Sequence, residues 1–171
     1  MANEILFSEE QIQAKVKELG AQITKDYNGE PVLLIGILKG SIPFMADLMR
    51  EIDLPVTVDY MQVSSYGNNT KSSGVVKIIK DIDEDITGKN VIIVEDIVDT
   101  GITLNYLKQY LANRGSKSLK ICSILNKPSK RKVDLVPDYV GFDIDDLFII
   151  GYGLDLAQEY RNLKYISWIK E

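Results

Sequence analysis

Apolar and polar positions recur along the chain with two different periods, which predict alternating helices and strands. Ser8-Glu-Glu-Gln11 has the form of a capping box, and apolar residues follow it at spacings of three and four. This pattern predicts that the first element is a helix. A continuous apolar run over 31–38 is typical of a strand covered on both faces. A second helix is predicted over about 42–51 and a second strand over 56–63.

The alternation continues through the second half of the chain. Further strands are predicted over 75–79, 91–96 and 119–125. A helix is predicted to follow the second of these and to run to about Asn113. This order predicts an α/β fold with an open, mainly parallel sheet flanked by helices. The tail differs, with short strand-like pieces and several aromatics, so we expect a small C-terminal hood (about 136–171) beside a core of about 25–135.

Length and composition indicate one ordinary globular domain over 1–171. The chain has 171 residues, of which 45% are hydrophobic and 26% charged. Its apolar runs fall short of the ~18 residues that a membrane span needs, so no membrane partner is expected. The first residues do not resemble a secretory signal, and the single Cys122 cannot form an internal disulfide. Both observations favour a cytoplasmic location.

Charge and residue usage restrict the chemistry. The net charge is −5, from 20 basic and 25 acidic residues, which argues against a nucleic-acid partner. One basic cluster, Lys127–Lys132, is interpreted on composition alone as a solvated turn. The chain contains no histidine, so catalysis based on Ser-His or Cys-His pairs is excluded. General acid or base catalysis would then depend on Asp, Glu, Lys or Tyr.

The stretch Val91–Thr103 is the most informative part of the sequence. A buried strand brings Glu95 and Asp96 to the sheet edge where ligands bind in open α/β folds. The turn that follows, Asp99-Thr100-Gly101-Ile102-Thr103, opens a helix. Free N–H groups and the partial positive charge of a helix start bind phosphate. The carboxylates would repel phosphate, but they suit sugar hydroxyls or Mg²⁺. The combination predicts a ribose phosphate site.

A purely structural interpretation of these residues, with no ligand, is an alternative. Asp99 would cap the helix, and the two acids would be exposed at a strand end. That interpretation suits an isolated Asp-Thr-Gly better than the whole pattern. Residues 81–92 imitate a calcium loop but carry Ile86 and Ile92 where such a loop needs Gly and Glu. Neither the dinucleotide-binding glycine pattern nor the P-loop occurs.

In these features the chain resembles the type I phosphoribosyltransferase family, and within it the bacterial hypoxanthine (hypoxanthine–guanine) phosphoribosyltransferases. The matching motifs are VEDIVDTGIT (94–103), LKGS (38–41), SSYG (64–67), LNKP (125–128) and FIIGYGLD (148–155). The resemblance covers nearly the whole chain. It implies transfer of a ribose phosphate from 5-phosphoribosyl 1-pyrophosphate (PRPP) to hypoxanthine, and to guanine, giving IMP or GMP and pyrophosphate in purine salvage.

The resemblance also implies roles for the residues that bind PRPP. Glu95 and Asp96 would hold the ribose hydroxyls, and Asp99 would be the base that takes the purine proton. The two acids would also be carboxylates for the Mg²⁺ cofactor, and Asp155 would be the carboxylate near a second Mg²⁺. The phosphate groups would be bound by Lys39, Gly40, Asp99, Thr100, Gly101, Ile102, Thr103 and Arg161. In the family the peptide bond matching Leu38–Lys39 is often cis, and we expect the same here.

The purine and the mobile loop are assigned in the same way. Lys127 would donate to the 6-oxo group, and Phe148 would stack on the ring, although core packing is an equal alternative for Phe148. Ile149, where the family commonly has valine, and Asp155 would contribute backbone groups. Ser65 and Tyr66 would cover the reacting centre from a polar loop over 64–74.

Two other functions remain open on the sequence alone. One is a regulator that keeps this fold but senses PRPP and binds nucleic acid, which the acidic composition disfavours. The other is an enzyme of the same family that prefers xanthine or another base. Lys127 would contact the 6-oxo group that hypoxanthine, guanine and xanthine share, so it does not rank these three. The resemblance implies a homodimer or homotetramer, but the apolar faces do not identify an interface.

Overall fold

The computed structural model of the protein describes residues 4–65 and 76–170. Within these ranges the chain forms two sheets and three α-helices. The helices are α1 (Glu9–Tyr27), α2 (Ile42–Arg50) and α3 (Ile102–Ala112). The strands are β1 (Glu4–Phe7), β2 (Val32–Leu38), β3 (Val56–Ser65), β4 (Val76–Lys80), β5 (Asn90–Val98), β6 (Ser118–Asn126), β7 (Tyr139–Asp143), β8 (Phe148–Ile150) and β9 (Ile166–Ile169).

The larger sheet has six strands in the order β4-β3-β2-β5-β6-β7. Strands β3, β2, β5, β6 and β7 are parallel, and β4 closes one edge antiparallel to β3. This confirms the predicted α/β fold. From β2 the chain crosses to β3 on one side, and from β5 it crosses to β6 on the other. The carboxyl ends of β2 and β5 therefore flank the switch point, where open α/β sheets form their ligand crevice.

Both faces of the sheet are covered, which explains the continuous apolar run of β2. Val32 and Leu34 pack with α1 and α2, whereas Leu33 and Ile35 pack on the opposite face with α3. Successive side chains of a strand point to opposite faces, so a strand buried on both has no polar positions to alternate with. Burial of each such side chain contributes about 1.5–3 kcal/mol.

The first helix begins where the sequence indicates. Ser8 Oγ accepts a hydrogen bond from the Gln11 N–H at 3.2 Å, and Gln11 Oε1 accepts one from the Ser8 N–H at 2.8 Å. This reciprocal capping box satisfies two backbone donors at the start of α1. The prediction that α1 is the first element is wrong, because β1 precedes it. None of the helices in the described ranges is long and apolar enough to span a bilayer.

A second sheet of three strands, in the order β1-β9-β8, forms the hood. Both pairings are antiparallel, so the hood contains residues from both ends of the chain. Strand β7 pairs with β6 in the larger sheet, so the core extends to about Asp143 and the boundary expected near 136 is too early. The Phe7 and Phe142 rings stack with centroids 3.9 Å apart, which joins the hood to the core.

Candidate active site

The crevice at the switch point begins with the residues that follow β2. The Leu38–Lys39 peptide bond is cis, as expected. Gly40 is buried against the carboxylate of Asp96 on the neighbouring strand: a Cβ at residue 40 would lie 1.7 Å from Asp96 Oδ2. A side chain there would displace either the loop or the carboxylate. Glycine is therefore required for the Lys39–Gly40 backbone to lie beside the acids of β5.

The acid pair, Glu95 and Asp96, is partly covered at the end of β5. Burial raises the pKa of Glu95 well above its usual range, and the negative charge of Asp96 raises it further. Burial also raises the pKa of Asp96, against the opposing effects of the Ile97 N–H and of the Arg161 charge. Ligands that bring positive charge or hydroxyl donors to this pair would stabilise its ionised form. The pair can thus bind a sugar diol or a cation.

The turn predicted to bind phosphate, Asp99–Thr103 (the phosphate turn), follows β5 and includes the first two residues of α3. Gly101 is the N-cap residue, with φ 80° in the left-handed region that glycine adopts without strain. The N-cap position belongs to Gly101, which has no side chain, so the alternative in which Asp99 serves as the cap is wrong. The Ile102 N–H donates to Thr100 Oγ1 at 3.3 Å. A cavity of about 150 Å³ opens over this turn and is lined by Glu95, Ile97, Val98, Asp99, Thr100, Gly101, Thr103 and Leu104.

Two cations lie on the other side of the crevice, where the hood meets the core. Gln158 Oε1 accepts from Lys39 Nζ at 3.3 Å and from the Arg161 guanidinium at 3.2 Å. Arg161 also forms an ion pair with Asp155, 3.1 Å between Nη2 and Oδ1. Lys39 and Arg161 line one groove of about 220 Å³. Gln158 was not predicted from the sequence, because its contacts join segments more than a hundred residues apart.

The hood reaches the crevice through Gly153. A Cβ at this residue would lie 1.9 Å from the carbonyl oxygen of Gly40, and its φ is 98°. The Arg161 guanidinium donates to the Gly153 carbonyl at 2.7 Å. Backbone therefore packs directly on backbone between the hood and the loop after β2. This contact fixes the position of Arg161 relative to Lys39.

A larger cavity lies between the end of β6 and the hood. Its volume is about 460 Å³, and it is lined by Asp99, Lys127, Lys130, Asp146, Leu147, Phe148, Trp168 and Ile169. Lys127 is buried, 7% exposed, and its Nζ donates to the Leu147 carbonyl at 2.7 Å. Phe148 is 47% exposed, so the alternative of simple core packing for this ring is wrong. A planar apolar ligand can stack on Phe148 while a buried ammonium donates to its edge.

Several lining residues of this cavity were missed by sequence reasoning. Trp168 and Ile169 come from β9, the last strand, and pair with β8. Lys130 lies 2.8 Å from Asp146, which is also 3.6 Å from Lys127. The aromatic content of the tail was the only available signal for Trp168. Ile149 is buried in β8, and neither its side chain nor that of Asp155 lines this cavity in the described part of the chain.

The remaining predicted residues are Ser65, Tyr66 and Asp155, and the structure describes only part of this set. Ser65 is the last residue of β3, and Tyr66 and most of the predicted loop over 64–74 lie outside the described residues. Asp155 is held by Arg161 and by the Gln158 N–H, 2.8 Å from Asp155 Oδ2. Within residues 4–65 and 76–170, no three acidic, cysteine or histidine side chains cluster as metal ligands.

Comparison with known proteins identifies the family. The model of the family described as "Phosphoribosyl transferase domain" matches residues 3–157. The hypoxanthine-guanine phosphoribosyltransferase of Bacillus subtilis (strain 168) is 54% identical over 166 residues, which cover 97% of this chain and 92% of the relative. The corresponding relative from Streptococcus agalactiae serotype V is 52% identical over 167 residues, which cover 98% of this chain and 93% of that protein.

Solved structures agree with this result. A hypoxanthine-guanine phosphoribosyltransferase from Bacillus anthracis superposes with a TM-score of 0.95 at 54% identity, covering 98% of each chain. A hypoxanthine phosphoribosyltransferase from Staphylococcus aureus gives a TM-score of 0.95 at 50% identity, covering 98% of this chain and 91% of that one. The chain therefore belongs to the phosphoribosyltransferase family, in its hypoxanthine-guanine branch.

Proposed function

We propose that this protein transfers the phosphoribosyl group of PRPP to hypoxanthine and guanine, releasing pyrophosphate and forming IMP or GMP. One observation carries the proposal: Asp99 lines both the cavity over the phosphate turn and the larger cavity beside Phe148. A sugar phosphate in the first cavity and a planar base in the second would meet at this carboxylate. The names of the relatives support the same reaction.

Three parts of the crevice would each bind one part of PRPP. The backbone N–H groups and hydroxyls of the phosphate turn bind the terminal phosphate. The acid pair accepts hydrogen bonds from the ribose hydroxyls, and its negative charge also favours the cationic character that develops on the ribose as the leaving group departs. Lys39 and Arg161 flank the groove on the opposite side and bind pyrophosphate. Gln158 Oε1 accepts hydrogen bonds from both cations, and each cation has further N–H donors for the pyrophosphate oxygens.

Asp99 is the proposed general base. It is an exposed carboxylate between the two cavities, and the chain has no histidine that could take its place. As the purine nitrogen bonds to the anomeric carbon and the bond to pyrophosphate breaks, Asp99 accepts the proton from the imidazole ring of the purine. A positioned base is worth about 10²–10⁴ in rate.

The donor set of the crevice fits Mg²⁺ in the manner typical of polyphosphate enzymes. Mg²⁺ is usually bound through one or two carboxylates together with substrate phosphates and water. The acid pair offers two adjacent carboxylates whose pKa values are both raised, and Asp155 offers a third at the hood. When bound, Mg²⁺ would neutralise charge on the departing pyrophosphate.

A cytoplasmic location belongs to the same proposal and agrees with Cys122 being a buried free thiol.

Lys127 would give the site a preference for 6-oxopurines. Its ammonium carries only donors, so it can pair with an oxo group and not with the amino group of adenine. The ammonium is fixed by the Leu147 carbonyl and by Asp146, which aligns it with the cavity. Hypoxanthine, guanine and xanthine share the 6-oxo group, and this contact alone does not rank them.

Lys127→Met is expected to raise the KM for hypoxanthine by about 10- to 100-fold, because a hydrogen bond to a charged donor contributes about 1.5–3 kcal/mol. The KM for PRPP should change little, since methionine fills similar space away from the phosphate turn. Steady-state kinetics with each substrate varied in turn measures both constants. Lys25→Met, on the exposed end of α1, is the matched control. An equal rise in both KM values would argue against base recognition by Lys127.

The function is tested by base competition. The purified protein is incubated with PRPP, Mg²⁺ and hypoxanthine, guanine, xanthine or adenine, and both pyrophosphate and the nucleotide product are measured. We expect IMP and GMP formation with equimolar pyrophosphate, and no reaction with adenine. Tight PRPP binding without turnover of any base would contradict the proposal and favour a PRPP-sensing regulator.

A further inference from the structure

The basic cluster Lys127–Lys132 is only partly the solvated turn that composition predicts, because Lys132 is exposed but Lys127 is buried. The cluster packs against the phosphate turn, and none of its residues lines the 150 Å³ cavity over that turn, although Lys127 and Lys130 line the 460 Å³ cavity. Three consecutive carbonyls accept hydrogen bonds from it. The Val98 carbonyl accepts from the Lys127 N–H at 2.9 Å, the Asp99 carbonyl from Arg131 Nε at 3.2 Å, and the Thr100 carbonyl from the Lys132 N–H at 2.9 Å.

These bonds determine where the amides of the turn point. In a trans peptide unit the carbonyl and the N–H of the next residue point in opposite directions. In the described chain the only cis bond is Leu38–Lys39, so the peptide units after Val98, Asp99 and Thr100 are trans. With their carbonyls directed at the basic cluster, the N–H groups of Asp99, Thr100 and Gly101 point away from it. That is the side of the 150 Å³ cavity, which none of residues 127–132 lines.

Arg131 is the part of this arrangement that depends on a side chain. Its guanidinium also donates to the Leu135 carbonyl and to Asn126 Oδ1, so it is fixed to the end of β6 and to the segment before β7. Asn126 is held in turn by Asp143, with Nδ2 and Oδ1 2.8 Å apart. Gly101 packs on the same arginine, since a Cβ there would lie 2.8 Å from Arg131 Cδ.

We propose that Arg131 is a positioning residue for the phosphate turn. It does not line the cavity and acts through the Asp99 carbonyl, holding the turn with its amides directed at a phosphate. This inference rests on the proposed function, which places the terminal phosphate of PRPP, and equally the 5′-phosphate of the nucleotide product, at those amides. Positive charge alone does not account for the role, because a lysine cannot bond three separated acceptors in one plane.

The test compares IMP with inosine, which has the same base and ribose but no phosphate. Dissociation constants for both are measured by calorimetry for the parent, Arg131→Met and Arg131→Lys. We expect the affinity advantage of IMP over inosine to fall by about 10- to 100-fold in both variants, with inosine affinity unchanged. Arg50→Met, an exposed arginine on α2, is the matched control and should keep the parent's advantage.

The other possible results would contradict either the positioning role of Arg131 or the proposed function. An unchanged advantage in Arg131→Met, or an advantage restored by Arg131→Lys, would overturn the positioning role. Equal losses for IMP and inosine would indicate a general structural effect and would also overturn it. If the methionine variant does not fold, the lysine variant, which keeps the charge and most of the stem, gives the same test. A parent protein with no preference for IMP would instead contradict the proposed function.

Discussion

Asp99→Asn is expected to lower kcat with hypoxanthine by about 10²–10⁴ while PRPP affinity stays close to that of the parent. Asparagine has nearly the same shape but cannot accept the purine proton. The backbone of residue 99 would keep its bond to Arg131 and its place in the phosphate turn, because neither depends on the carboxylate. Single-turnover rates give the chemical step, and calorimetric titration with PRPP gives the affinity.

Asp53→Asn is the matched control for this substitution. Asp53 is exposed in the segment before β3, at the end of the sheet opposite the crevice. Its variant should retain the parent's kcat. If Asp99→Asn turned over at the parent's rate, Asp99 would not be the base. If it lost PRPP affinity as strongly as rate, the residue would serve mainly to shape the turn.

Gly40→Ala is expected to raise the KM for PRPP by about 100-fold or more and to lower kcat as well. The added Cβ would lie 1.7 Å from Asp96 Oδ2 and 2.7 Å from its Cγ, so the carboxylate or the loop must move. A displacement of about 1 Å in a substrate-positioning group can cost about 10²-fold in rate. Steady-state kinetics with PRPP varied, together with thermal unfolding, measures both consequences.

Gly29→Ala separates loss of stability from loss of site geometry. Gly29 has φ 84°, and no atom of the described residues lies within 4 Å of the position that a Cβ would occupy. Alanine should therefore cost about 1–2 kcal/mol of stability through its backbone conformation and leave catalysis unchanged. Gly40→Ala with parental kinetics would show that the crevice accommodates a methyl group, against the close contact between Gly40 and Asp96.

The sequence predicts those parts of the fold that depend on local pattern. The capping box at Ser8 and the apolar runs of β2 and β5 indicate their elements because helix caps and doubly buried strands leave local signatures. The residues of the phosphate turn follow from the same stretch of chain. The resemblance to a family adds the hood residues Phe148 and Arg161, which no periodicity could place at the crevice.

Features formed by distant segments could not be predicted in this way. β1 has four residues, and its place beside β9 depends on pairing across almost the whole chain. β7 belongs to the core because of its pairing with β6, although its composition resembles that of the tail. The role of Arg131 is of the same kind, because its acceptors become neighbours only when β6 and the phosphate turn are both in place.

The close packing of Gly153 on Gly40 links local opening of the hood to the geometry of the crevice. Because backbone rests on backbone, the hood cannot lift without uncovering Gly40 and carrying Arg161 away from Lys39. Local opening of the hood would therefore also separate Lys39 from Arg161, the two cations that we propose for pyrophosphate. A ligand bound between the two cations would suppress that opening in proportion to its affinity, so occupancy of the crevice and protection of the hood amides rise together.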